Sequence, residues 1–473
     1  MLSILSSTYY KRFSPYYKFL LAVFLLAALF LQSCNKPTEP PEPPQPPPPP
    51  PPVVKPTLIL ELDDAHCTET WILLSTKDLQ LPAELLLKQY KPNGDSITQN
   101  INVTTKDTLL YIDSLYPSQT YRYQVSGIWY PKVDSQQVVT SNEITVLTMD
   151  TTSSSFTFEM ITFGGEIGSS VLYDVAIINE NNIWAVGDIW RKDDTSSLGY
   201  TKYNAVHWDG NSWDFKRIRT NSCGGVDYPP IKTLFGFSAD NILFAHIDGS
   251  ITHFNGIEFI NDCSLINQLN GSANKIWGLS KDDYYVVSGN GFIAHYNGVN
   301  WKKLASGTTL NINDIWGDYN PKTNEWEILA VGGNILAGHG NILLQIKKNN
   351  SIEKVSSENA NWPLRSLWFI SNKNYYISGS GIYQKHYLDE KGWKNDIFLI
   401  TTYSTNRIRG QKINDIVATG GAGELLHFNG SSWKSFIDVV GIPGNYYGTA
   451  IFNNIIVIVG QSSNMAVLSI GRR

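Results

Sequence analysis

The sequence predicts an all-β chain in two parts, a small sandwich followed by a ring of repeated four-stranded sheets. Three observations carry this. Short alternating strands fill residues 57 to 149 with no helical period. A hairpin pattern with histidine at its head then recurs at spacings of 46, 42, 91 and 41 residues. The composition fits a packed β chain, with 17% charged and 12% aromatic residues, 14 Trp and 37 Gly among 473 residues, and so excludes a disordered chain or a coiled coil. Lys and Arg number 37 against 42 Asp and Glu, a net charge of -5. No positive excess is present to displace phosphate counterions, and no nucleic-acid partner is expected.

The N-terminus reads as an export signal. Lys11, Arg12 and Lys18 precede an apolar run of 13 residues from Phe19 to Leu31. At about 1.5 Å per residue that run falls short of a hydrocarbon core of about 30 Å. With Leu31-Gln32-Ser33-Cys34 behind it, the stretch resembles a bacterial lipoprotein signal peptide over residues 1–33. That resemblance implies cleavage and lipidation at Cys34 and a membrane held through the lipid anchor. Gln32 departs from the usual pattern, and a plain cleaved signal with a free Cys34 is the alternative. Removing residues 1–33 takes away three basic residues and no acidic one, leaving 34 against 42, or -8. Asn35 and Lys36 do not resemble the aspartate that retains lipoproteins in an inner membrane. The expected location is the cell envelope, on an outer-membrane lipid anchor, periplasmic or surface-exposed.

Residues 34–56 form the linker. The run PEPPQPPPPPPP excludes a helix or a central strand and favours polyproline II. Twenty such residues reach about 60 Å, a spacer that lifts the body from the lipid. An SH3-type ligand is the rival reading.

Strands are expected at Leu58–Leu62, Trp71–Ser75, Glu84–Tyr90, Leu109–Ile112, Tyr121–Ile128 and Glu143–Thr148, with turn signals such as Pro92-Asn93-Gly94-Asp95 between them. This pattern argues for a β-sandwich over 57–149. The stretch from Leu115 through Pro117 and Tyr121 to Val125 resembles the L-x-P-x-x-x-Y-x-x-x-V segment of fibronectin type III domains. The resemblance implies that the Tyr121 hydroxyl is tied to backbone a few residues upstream, and it is matched loosely by Trp71 as the strand-B tryptophan. Such domains act as spacers or adhesion modules.

The repeat occupies residues 156–473. Its copies are His207-Trp208-Asp209-Gly210 to Trp213, His253-Phe254-Asn255-Gly256 to Phe259, His295-Tyr296-Asn297-Gly298 to Trp301 and His427-Phe428-Asn429-Gly430 to Trp433. A stretched copy begins at His386-Tyr387, and a degenerate one lies near Gln345. Asp-Gly or Asn-Gly between β-rich runs predicts a type I′ hairpin with positive φ at both central residues. Apolar runs ending in glycine, such as Ile183 to Gly187 and Ile328 to Gly332, and a further strand upstream complete four strands per unit. A four-stranded unit of this period predicts a β-propeller. Seven blades are expected, with Phe156 to Ile161 supplying the outermost strand of the last and closing the ring.

The histidines at repeat positions read as packed side chains rather than metal ligands, since their spacing fits no zinc pattern. No metal and no cofactor is expected. The repeat resembles sialidase-type propellers with aspartate-box turns, but Asp209 and Asn297 stand directly before glycine and the box serine is missing. Arg365, Arg407 and Arg409 lie near inner strands and are not assignable as a carboxylate-gripping triad, so no catalytic residue is named. The long connection Asp188 to Tyr203 offers Trp190, Arg191, Tyr200 and Tyr203 as candidate ligand-binding residues. Its rival reading is a solvated insertion with Trp190 packed on its own loop. Cys223 and Cys263 fall at matching places in consecutive units and are a possible disulfide. Cys67 is expected to be buried in the sandwich.

The reading that results is a non-catalytic recognition or scaffold lipoprotein, binding a glycan, peptide or envelope protein through the loop face of the propeller. A carbohydrate-active enzyme resembling sialidases and an envelope assembly factor are the alternatives.

Overall fold

Alternation of apolar and polar side chains after the tether builds two antiparallel sheets that share one core. One holds Thr57–Ala65, Thr70–Lys77 and Asp107–Ile112; the other holds Ser96–Val103, Ala83–Tyr90, Thr120–Lys132, Ser135–Thr140 and Ile144–Leu147. Leu58, Leu60, Ile72, Leu74, Leu85, Tyr123 and Val125 meet between them. Tyr121 Oη accepts a hydrogen bond of 2.9 Å from the Tyr116 amide. The strand Ser96–Val103 carries no alternating apolar signal, because it is exposed along nearly its whole length. Trp71 lies on the opposite face of its strand from Ile72, away from the shared core, against His66, Tyr111 and His386.

The computed structural model describes residues 54–473, apart from 133–134, 221–222, 225, 270, 396–400, 402 and 440–443. Residues 1–33, expected as an export signal, Cys34 and nearly all of the proline-rich stretch lie outside the described residues. No helix among the described residues is long and apolar enough to cross a membrane.

Among the described residues seven antiparallel sheets follow the sandwich. Their first strands are Val171–Asn179, Ile231–Ser238, Ala273–Ser280, Ile312–Asn320, Ser366–Ile370, Thr405–Lys412 and Asn445–Phe452. Each first strand packs against the first strand of the next sheet, and Asn445–Phe452 packs against Val171–Asn179. The sheets therefore stand in a circle, a propeller-like all-β arrangement. In the last of them the early strand Thr157–Phe163 pairs with the C-terminal strand Met465–Arg472, with Phe163 opposite Ala466 and Thr157 opposite Arg472. Pairing the two ends of the ring within one sheet covers an edge that each would otherwise expose.

The hairpin turns differ from the type I′ expectation. At Asp209-Gly210-Asn211-Ser212 only the glycine has positive φ, at 99°. The Asp209 carboxylate accepts the Asn211 and Ser212 amides, both at 2.8 Å. Asn429 does the same for Ser431 and Ser432. A side chain that accepts two amides holds a four-residue turn, and so the aspartate or asparagine recurs there for its oxygen.

The register also moves one copy of the repeat. His207, His253, His295 and His427 lie opposite Trp184, Leu243, Tyr285 and Val417. In the fifth sheet the equivalent partner, Tyr376, lies opposite Gln384. His386 is thus two residues beyond that position, just past the end of the strand Gly381–Lys385, where it meets Tyr111 with ring centroids 4.8 Å apart. Gln345 occupies the position in the fourth sheet and reaches Glu327 at 3.3 Å, as His295 reaches Asp283 at 2.7 Å. The fourth sheet is complete, whereas the fifth has three strands among the described residues and a lone bridge between Gln384 and Lys394.

Sandwich and ring belong to one compact unit, Lys55–Arg473. Lys322 pairs with Asp63 and Lys373 with Asp64, and Asn414 donates to the Asp150 carbonyl. Cys67 is buried here and donates to the Asp150 carbonyl, and burial pushes its thiol up to about 11.

Candidate functional site: the mouth of the ring

Six of the seven first strands carry a β-bulge near their start. The extra residues are Tyr173, Lys232, Asn274, Asn313, Asn406 and Tyr447. A bulge redirects a side chain that regular pairing would send to a neighbouring sheet. Arg365 stands at the corresponding place in the fifth sheet, one residue before Ser366. All seven side chains line one cavity of ≈ 650 Å³ at the mouth of the ring. The connection Asn334 to Ala337 between the second and third strands of the fourth sheet forms its rim, and Leu336 there is fully exposed.

These residues tie most of the sheets to a neighbour. Asn274 donates to the Ile312 carbonyl at 2.8 Å, Asn313 to Leu364 at 2.7 Å and Asn406 to Tyr446 at 2.8 Å. Arg365 donates to Asn406 Oδ1 at 2.6 Å. Lys232 Nζ lies 3.8 Å above the Tyr173 ring, and the Tyr173 and Tyr447 rings stand 6.3 Å apart. Those fixed bonds hold the cavity wall in shape before any ligand arrives.

Beneath this layer the next residue of the first six of these strands, Asp174, Thr233, Lys275, Asp314, Ser366 and Arg407, forms a buried polar floor. Asp174 accepts Thr233 Oγ1 at 2.7 Å and Lys275 Nζ at 2.5 Å. Across the ring, Asp314 accepts Ser366 Oγ and a fork from Arg409, and lies 2.9 Å from Arg407 Nη1. These cations hold both carboxyls below the usual carboxylate range against the desolvation that burial imposes. Arg407 is 8% exposed and lines the cavity, and its Nε has no hydrogen-bond partner. Lys232 is lowered to about 8, chiefly by burial and then by repulsion from Arg407, with Asp174 opposing.

The four residues singled out on the long connection do not share a surface. That segment extends the second and third strands of the first sheet, with Trp190 opposite Lys202 and Lys192 opposite Tyr200. Trp190 donates to Asp188 at 3.1 Å, packs on Tyr200 and lies under Lys202 Nζ at 3.5 Å. Arg191 covers Phe215, and Tyr203 also packs on Phe215, on the other face. Cys223 and Cys263 are joined as a disulfide with Cα atoms 5.2 Å apart. Of the three arginines near the inner strands, Arg365 and Arg407 line the mouth, and Arg409 lies in the floor.

Among solved structures the chain is similar to YCF48 bound to D1 peptide, at 16% identity over 68% of this chain and 97% of that one, with a TM-score of 0.49. It is also similar to YCF48 from Cyanidioschyzon merolae, at 15% identity, 67% and 98% coverage and a TM-score of 0.47. A third is the WD40 beta propeller domain of Doa1, at 12% identity, 68% and 98% coverage and a TM-score of 0.45. No protein-family model and no curated protein matches the chain.

Proposed function

We propose that the chain is a non-catalytic recognition lipoprotein of the cell envelope. In this reading Cys34 carries the lipid and the proline-rich tether lifts a fibronectin type III-like sandwich and a seven-bladed propeller off the membrane. The propeller binds a peptide, protein or glycan at the mouth of the ring. The observation that carries this is the convergence of one side chain from each of the seven sheets on a single cavity. Chemistry at that cavity favours binding over hydrolysis. Among the described residues its lining holds amides, tyrosines and cations and no carboxylate, whereas glycoside hydrolysis ordinarily needs a pair of carboxyl groups. Burial and the charge of Asp188 push the Tyr173 phenol up, which makes it a poor nucleophile at neutral pH.

The test is retention of envelope proteins, peptides and glycans on the purified chain, with the mass of each retained ligand compared before and after. An unchanged ligand, weakened by Tyr447→Ala and not by Trp190→Ala, is the expected result. A shortened ligand would replace recognition with catalysis.

A further inference from the structure

The mouth is rich in positive charge at its walls and floor. Among the described residues Lys232, Lys275, Arg365, Arg407 and Arg409 stand with Asp174 and Asp314 in the floor and Asp188 near Tyr173 at the wall, so five cations meet three carboxylates there. Lys275 and Arg409 are engaged by those carboxylates in the floor. Arg365 donates one hydrogen bond to Asn406 from a group with five donors, and Arg407 Nε donates none. A buried polar group without a partner costs free energy until something supplies one. An anion in the cavity supplies it for Arg407 and balances Arg365 and Lys232 as well.

We propose that the mouth recognises a carboxylate-bearing peptide segment. Lys232, Arg365 and Arg407 grip the carboxylate, and an adjacent apolar side chain seats against Ile335 and Leu336. This rests on the reading of the mouth as the recognition site. Three features favour a peptide over a free phosphate. The cations come from the second, fifth and sixth sheets, and the cavity of ≈ 650 Å³ far exceeds one phosphate. Asn274 and Asn313 spend their N–H groups on neighbouring backbone and add side-chain carbonyl oxygens to the cavity lining, acceptors suited to peptide N–H groups. The Ile335-Leu336-Ala337 rim is apolar, with Leu336 open to solvent. The lowered lysine at position 232 fits the same picture, since a bound anion offsets the burial and the Arg407 repulsion that oppose its charge.

The experiment pans a random octapeptide pool on the purified full chain in detergent and sequences what is kept. Asp or Glu beside an apolar residue is expected to be enriched. Replacing the acid by Asn or Gln, or the chain's Arg365→Gln, is expected to weaken binding about ten- to a hundredfold, the scale of a charge-assisted hydrogen bond. Trp190→Ala is expected to leave it unchanged. Neutral peptides that are lost on Tyr447→Ala would overturn the carboxylate and leave the mouth as the site. Acidic peptides unmoved by both Arg365→Gln and Tyr447→Ala would overturn the mouth itself, and no enrichment at all would overturn both. Displacement by inorganic phosphate at far lower concentration than by acetate would assign the cations to phosphate instead.

Discussion

Arg409 forks onto Asp314, with Nη1 2.9 Å from Oδ2 and Nη2 2.8 Å from Oδ1. Asp314 belongs to the fourth sheet and Arg409 to the sixth, so the pair spans the ring behind Ser366 of the fifth. Asp174 collects Thr233 of the second sheet and Lys275 of the third in the same way. Both carboxylates are fully buried, and removing one leaves cations without their counter-charge. Asp314→Asn is expected to destabilise the chain by about 3–5 kcal/mol, read as a lowered midpoint in denaturant unfolding. A loss within experimental error would show that the cations find other partners.

Ring closure depends on the pairing of Thr157–Phe163 with Met465–Arg472. Phe163 also packs with Leu468 and Leu172 in a core shared by the last sheet and the first. Deleting residues 150–165 is expected to abolish cooperative unfolding and to expose a strand edge that aggregates. A sharp, unshifted melt would show that the ring closes without this strand.

Affinity for an acidic peptide is expected to fall as the pH rises through about 8. Lys232 is charged below that value and neutral above it, and only the charged form attracts an anion. The groups that set this titration are Arg407 and Asp174, with the Tyr173 ring against the ammonium and its phenol ionising only at higher pH. Lys232→Arg keeps its charge throughout and is expected to flatten the profile. A wild-type affinity that stays level from pH 7 to pH 9.5 would remove Lys232 from the site.

The junction of sandwich and ring carries its own pH dependence. His66 lies 3.2 Å from both Asp64 and Glu69. Burial lowers its basicity, and the two carboxylates more than reverse this, raising it above the ordinary histidine value. A raised folded-state value contributes stability in full below the unfolded value of about 6.5, and loses it as the pH climbs through the folded one. The stability difference between wild type and His66→Gln is expected to be largest at acidic pH and to shrink above neutrality. An equal difference at pH 5.5 and pH 8.5 would mean that His66 is not charged there.

Much of this architecture is legible in the sequence. The H-aromatic-[DN]-G pattern places the hairpins, and Phe156 to Ile161 stands out as the strand that closes the ring. The mouth is harder to read because its seven residues are Tyr, Lys, Asn, Asn, Arg, Asn and Tyr, with no shared type. A signal is nonetheless present. Leu172-Tyr173-Asp174-Val175, Ile231-Lys232-Thr233-Leu234 and Ile312-Asn313-Asp314-Ile315 each set two polar or aromatic residues in a row inside an apolar strand. Such a pair breaks the alternation of period two and marks a bulge. Trp190 drew attention instead because it sits in a long connection, and its indole is occupied by Asp188 and Tyr200. That Gln384 and not His386 takes the repeat position in the fifth sheet is invisible without the register.

Labelling of cysteines separates two further expectations. Cys223 and Cys263 are paired and Cys67 is buried. Alkylation in denaturant without reductant is therefore expected to modify Cys67 alone in the lipidated protein. A second adduct at Cys34 would point to the unlipidated alternative, and adducts at 223 and 263 would exclude the disulfide.

The most direct test of the mouth as the recognition surface is site-specific photo-crosslinking in the intact chain. A photoreactive side chain is placed either at Leu336 on the cavity rim or at Leu198, near the tip of the extended hairpin of the first sheet. Both positions are exposed. An envelope ligand retained by the chain is expected to crosslink from position 336, and to stop doing so on Tyr447→Ala. Crosslinks from position 198 alone, unaffected by Tyr447→Ala, would contradict it and move recognition to the hairpin.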